Sequence, residues 1–351
     1  MNCVVIRALT YFTSKVSDLS QLKNEIETGM VLLDEIEKHL RENKYSVFTK
    51  RISFPGLPRD IALRVVEYQG RDLLFSIGYS DISKDDIIEL VSHGVYVPVL
   101  HAEDPNIKNA YEYSRLIHEL ADFDPLAATR LSIGFHDMDF QTPYFPDSSS
   151  RGFRSIGLAF LYPQCIIDAI KRDIDLSTAI KEIFKELNKL AEFIKKTFNL
   201  DVLIDYSLSP WMDNSVARVY EEQGYSVIGT GGIYYTWILN KYIETYSNKS
   251  MRTGFNEVML PYAEDNVLID YGRRGMLRAR DFLMYASTCV AGVDMIVVPW
   301  DIDKLAMIIA GAMAIRIVKN KPISLRAIPV PRSEGETIDL GRFGLVTVIP
   351  Y

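Results

Sequence analysis

Cys289, Asp294 and Glu264 are the residues of this chain whose type and spacing could support a reaction. Cys289 ends a helix-like run from Ala279 to Thr288 and stands just before Ala291-Gly292, where the chain must turn. A thiol at such a turn serves as a nucleophile or radical relay when its pKa is lowered and solvent reaches it; otherwise it is inert packing. Asp294 follows five positions later, directly ahead of the apolar run Met295-Ile-Val-Val-Pro299. A carboxylate at the mouth of a buried strand needs a partner, and it either caps the cysteine loop or orients a substrate or cation. Glu264 and Asp265 are adjacent, so at most one faces a common pocket, as general acid or base or as oxygen ligand to a hard cation. A plain helix N-terminus would also favour them.

Further polar residues sit where strands end. Asp205, Ser207, Ser209 and Asp213 follow the apolar run beginning at Val202, and the C-terminal ends of strands are where α/β folds place ligands. Thr142-Pro-Tyr-Phe-Pro146 holds Tyr144 between two prolines that fix the local backbone, with Thr142 and Tyr144 as substrate-facing candidates. Arg7 and Arg51 lie in strand-like runs, and an arginine among apolar neighbours must find an acceptor, either a protein carboxylate or that of a substrate. His136-x-x-Asp139 is a slender metal signal, and Gly229-Thr-Gly-Gly232 lacks the lysine of a P-loop. No motif specifies a cofactor, and the metal requirement stays open.

Strand and helix signals alternate along the chain and must position these groups. Strands are expected at 4–12, 45–54, 73–79, 95–100, 131–135, 153–160, 202–208, 295–299, 323–330 and 343–349. Helices are expected at 18–43, with Ser20 as cap, then at 84–92, 105–121 opened by Pro105, 176–198 and 304–318. Helix is expected to dominate from 214 to 290. Gly94 is placed to stop its helix with positive φ. This rhythm indicates a mostly parallel sheet with helices outside, and no low-complexity linker divides residues 1–351, so one α/β domain is expected.

The net charge of −7 at pH 7 argues against nucleic acid as a partner. No apolar run reaches the length of about 18 residues that a membrane span needs, and no leader is recognisable. Three cysteines without C-x-x-C spacing set a cytoplasmic, reduced chain as the default.

Three phrases of the last third carry a resemblance: Gly254-Phe-Asn-Glu-Val-Met-Leu-Pro261 running into Ala263-Glu-Asp-Asn266, Ser287-Thr-Cys-Val-Ala-Gly-Val-Asp294, and Arg326-Ala-Ile-Pro-Val-Pro331. With the Thr142–Pro146 and Ser207–Asp213 loops, they resemble the uncharacterised domain-of-unknown-function family 711. The resemblance implies a single large barrel-like domain of the pyruvate formate-lyase type, built from two half-barrels. At Cys289 the chain departs from the family's glycine pattern through Val290 and Ala291. Glycyl-radical chemistry is not expected, because Leu340-Gly-Arg-Phe-Gly-Leu-Val lacks the radical glycine phrase of such enzymes.

The expected function is an enzyme acting on a small anionic metabolite in a barrel pocket. Cys289 would be its reactive group, Arg7 or Arg51 the anion clamp, and Glu264 or Asp294 the acid–base partner. A non-catalytic ligand-binding or regulatory protein using the same pocket and a metal-dependent hydrolase are the alternatives, and a homo-oligomer is the expected assembly.

Overall fold

Local signals explain most of the regular elements. The helix Leu176–Phe198 buries Ile180, Ile183, Leu187, Leu190 and Ile194 along one stripe, accepts a bond from Thr178 N at the Asp175 cap, and ends at left-handed Asn199. The helix Lys84–Ser92 starts with a reciprocal capping box between Ser83 and Asp86, and Gly94 follows it at φ 89°. A computed structural model describes residues 3–70, 72–145, 148–288 and 290–351.

Among the described residues, nine strands form two sheets. The first has the order β3-β2-β1-β6-β7, where β1 is Val5–Phe12, β2 Val47–Ser53, β3 Leu74–Ser76, β6 Ser155–Leu161 and β7 Val202–Asp205. The second has the order β4-β5-β9-β8, with β4 Val97–Leu100, β5 Leu131–Phe135, β8 Gly292–Pro299 and β9 Ile323–Val330. Pairing is parallel within each sheet except at β1–β6 and β5–β9. Isolated parallel bridges run between the sheets at Ser76↔Tyr96, and at Leu208↔Val258 and Val258↔Val290.

The chain is therefore a mixed α/β protein with helices packed on its sheets. Strands β6 and β9 are buried at every position and thus on both faces. A small second apolar cluster joins Ala8 of β1, Ala159 of β6 and Ala291 beside β8 with Tyr144, Phe145 and Met259. Alanines on two strands and beside a third leave the volume that the two rings of the 142–145 loop fill.

Several expectations shift. Asp18 caps the first long helix, Leu19–Glu42, because its carboxylate reaches Gln21 N, and Ser20 donates to that carboxylate instead. Asn106 caps Ile107–Phe123, leaving Pro105 outside it. Residues 252–261 are largely extended and bridge β7 to residue 290, so helix does not run through from 214. The C-terminus makes only a short hairpin, β10 (Thr337–Asp339) against β11 (Leu345–Thr347).

Cys3 and Cys165 form a disulfide, contrary to the reduced default. Their Cα atoms lie 5.3 Å apart although 162 positions separate them, a pairing no sequence spacing announces. No helix among the described residues is long and apolar enough to cross a membrane.

Candidate functional site

Two β-bulges carry ionic side chains into the protein. In β1 the register against β6 slips between Ile6 and Ala8, so Arg7 is the extra residue. In β8 it slips between Val293 and Ile296, which sets Asp294 and Met295 opposite the single residue Arg326 of β9. Met295 takes φ 54°, the left-handed backbone such a bulge uses. Bulges re-aim side chains that regular alternation would point elsewhere.

The re-aimed groups meet in one buried network. Arg326 grips Asp294 with two bonds, Nε to Oδ1 at 2.6 Å and Nη2 to Oδ2 at 2.8 Å, and its Nη2 lies 3.4 Å from Glu264 Oε1. Arg7 donates to the other oxygen of Glu264, to the Tyr144 hydroxyl and to the Pro210 carbonyl. Tyr144 donates to Glu264 Oε2 at 2.9 Å. Glu264 sits there because the short turn Tyr262–Glu264 follows Pro261, while Asp265 beside it points away. The four charged residues are exposed by 4% or less. Water contributes little there, so each charge depends on its partners.

Aromatic faces complete the enclosure. The Arg7 guanidinium carbon stands 4.2 Å from the Tyr144 ring centre, and that of Arg326 4.9 Å from Phe145. Arg51 lies 5.1 Å from Tyr144 and 5.2 Å from Tyr96, and donates to the Tyr144 carbonyl at 3.3 Å. Thr10 anchors the same loop through the Pro143 carbonyl at 2.6 Å.

The two carboxylates differ electrostatically. Burial pushes Glu264 up, but Arg7 and Arg326 on either side outweigh it and hold the carboxyl below its ordinary range. Burial also pushes Asp294 up, and there it prevails over the pull of Arg326, with the charge of Glu264 adding to it. Burial raises the Tyr144 hydroxyl, which stays a proton donor. Carboxylates pushed in opposite directions divide the roles of fixed anion and proton exchanger.

Not every residue singled out from sequence joins this network. Asp205 and Ser207 form a separate cluster after β7: Asp205 Oδ1 accepts from Ser207 N at 2.9 Å, Ser207 Oγ at 2.5 Å and Asn256 N at 3.1 Å. Burial raises the Asp205 carboxyl against those bonds. Asp213 is exposed and accepts from Asn266 at 2.7 Å. Thr142 spends its hydroxyl on the Phe145 carbonyl at 2.6 Å, shaping the loop from within. Asp265 caps the helix Asn266–Arg273 and accepts from Ser215. Cys289 and Pro146 lie outside the described residues. His136 bonds the Tyr79 hydroxyl at 2.7 Å, and no group of three or more metal-type donors occurs among the described residues.

Sequence reasoning passed over Arg326 as a site residue, treating it as the start of an Arg-Ala-Ile-Pro phrase. The usable signal was an arginine inside Ile323–Val330, a run otherwise without charge. It also passed over Glu257, whose carboxylate meets Lys319 at 2.7 Å and Lys321 at 3.0 Å. Lys319 additionally reaches the Val290 carbonyl at 2.9 Å.

The "UPF0210 protein" of Pyrobaculum arsenaticum is 28% identical over 204 residues, covering 52% of this chain and 46% of its own length. The namesake from Acetivibrio thermocellus is 26% identical over 265 residues, 67% of this chain and 55% of the relative. "UPF0210 protein MJ1665" of Methanocaldococcus jannaschii is 27% identical over 181 residues, with 47% and 39% covered. The chain thus spans about half the length of the curated relatives it matches. The profile of the family described as "Uncharacterised ACR (DUF711)" matches residues 96–341, a span that holds Tyr144, Glu264, Asp294 and Arg326, and the chain belongs to that family.

Proposed function

We propose that the chain is an enzyme for a small anionic metabolite, bound between the two sheets at the Arg7–Glu264–Arg326–Asp294 network. One observation carries the reading: four buried ionic groups from β1, the 262–264 turn, β8 and β9 converge on one another, two of them delivered by bulges. Burying such a network without use is costly, since apolar side chains of equal volume commonly stabilise more. Arg7 and Arg326 would clamp a carboxylate or phosphate. Asp294, the carboxyl held high, would exchange the proton, while Glu264 holds both guanidiniums in place.

The same reading takes the two sheets as halves of one barrel of the pyruvate formate-lyase type. In support, parallel bridges join them at both seams, and among the described strands of the two sheets antiparallel pairing occurs only at β1–β6 and β5–β9. In the two sheets, the strands before residue 136 would then run one way and the later ones the other. A cytoplasmic homo-oligomer without nucleic-acid or membrane partners belongs to the proposal.

A non-catalytic binding protein is the second reading. Glu264 favours it, because Arg7, Arg326 and Tyr144 already occupy its oxygens and leave it poorly placed as a base. A thermal-shift series with phosphate, pyruvate, malate and citrate tests the site common to both. Stabilisation by one of these anions, reduced in Tyr144→Phe and abolished in Arg7→Lys, supports it. Indifference to every anion, or equal response in the variants, overturns it. Turnover of the stabilising anion then separates enzyme from binder.

A further inference from the structure

A second site lies away from the ionic network. A cleft of ≈ 380 Å³ opens where the chain leaves β3 and β4, walled by Ile82, Val99 and Met138 and floored by His101 and Tyr113. The C-terminal ends of parallel strands are a preferred ligand position in α/β folds. His101 is 4% exposed, and its contacts are long at both nitrogens: 3.3 Å from Nδ1 to the Tyr113 hydroxyl and 3.3 Å from Nε2 to the Asp104 carbonyl. Tyr79 closes one side and is held by His136 at 2.7 Å.

The charges of this cleft have one sign. Asp81 and Glu103 line it, whereas no lysine or arginine among the described residues does. The same negative field is felt by Tyr113, whose hydroxyl is pushed up by burial first and by Glu103 and Glu112 next. An anion would meet repulsion here. A cation would find two carboxylates, two tyrosines and apolar side chains for a hydrocarbon stem in the lining.

We propose that the cleft beside β3 and β4 binds a small primary ammonium carried on a short apolar stem. The ammonium lies between Asp81 and Glu103 over the tyrosine rings, and the stem packs against Ile82, Val99 and Met138. The site is independent of the anion site between the sheets, and either can fail alone.

Histidine resonances provide the test, because the chain has 5 histidines and His101 alone floors this cleft. The intact protein, labelled at histidine and with His101 assigned through His101→Asn, is titrated with butylammonium at neutral pH. Butanol and butyrate, of matching stem, are the controls. Butylammonium is expected to move the His101 signal saturably and leave those of His39, His93 and His118 in place, while His136, bonded to Tyr79, follows His101. Neither control should do so. Asp81→Asn with Glu103→Gln, both on the surface and harmless to folding, should weaken binding by roughly tenfold. The proposal is overturned by a His101 signal that butylammonium does not move, by equal effects of butanol or butyrate, or by undiminished binding in the double variant.

Discussion

Asp294 and Arg326 face each other across β8 and β9 as a two-pronged ion pair, and an inserted residue in β8 makes this possible. With regular alternation, a strand buried on both faces would have no reason to turn a carboxylate toward that guanidinium. The bulge supplies the turn, and Arg326 then links Asp294 to Glu264 and, through it, to Arg7.

That linkage makes single and paired substitutions behave differently. Arg326→Met leaves two buried carboxylates facing each other and should lower stability by about 3–5 kcal/mol. Arg326→Met combined with Asp294→Leu removes the charge with its partner and should recover a large part of the loss. Chemical denaturation of the parent, Arg326→Met, Asp294→Leu and the double variant decides it; a double variant less stable than the sum of both single changes would contradict the paired arrangement.

His136 predicts a pH dependence. Burial first of all pushes its imidazole down to about 4, against the bond it makes to the Asp137 carbonyl. A histidine depressed in the folded state binds fewer protons there than in the unfolded chain. Its contribution is full above the unfolded value of about 6.5 and is lost as pH falls from there toward 4. The loss should amount to roughly 2–4 kcal/mol across that window. A His136 Cε1 resonance that titrates near 6.5 in the folded protein would refute the assignment.

The disulfide gives a third expectation. Under denaturing conditions without reductant, alkylation should label one of the three cysteines, and with reductant all three. Reduction, or Cys3→Ser, should lower stability by about 2–5 kcal/mol, as the closed loop is long. Equal labelling in both conditions would show the bond does not form in the isolated protein.

Gly254 ties the Asp205 cluster to the 140–145 loop. It sits at φ +69°, and its N–H donates to the Gln141 carbonyl at 2.8 Å. A Cβ there would run into the Asp205 carboxyl. Gly254→Ala should therefore cost roughly 1–3 kcal/mol from backbone strain, with crowding added. A melting temperature equal to the parent's would mean that the loop contact is not held as described.

The residue order by itself determined the elements whose signals are local. Lys84–Ser92, Leu176–Phe198 and Ile323–Val330 have the limits that caps, periodicity and β-branched runs indicate. It also marked Arg7, Glu264, Asp294 and Tyr144, since charged or prolyl-braced residues beside apolar runs must find partners. Which partners they find was decided only by the tertiary structure. The bulges at Arg7 and Asp294 are mismatches between two strands and exist in neither strand alone. The recruitment of Arg326, the Cys3–Cys165 bond and the insertion of the 142–145 loop against three alanines join residues far apart in sequence. Such contacts depend on how both sheets pack, and that packing is written in volumes and registers that no short stretch of chain contains.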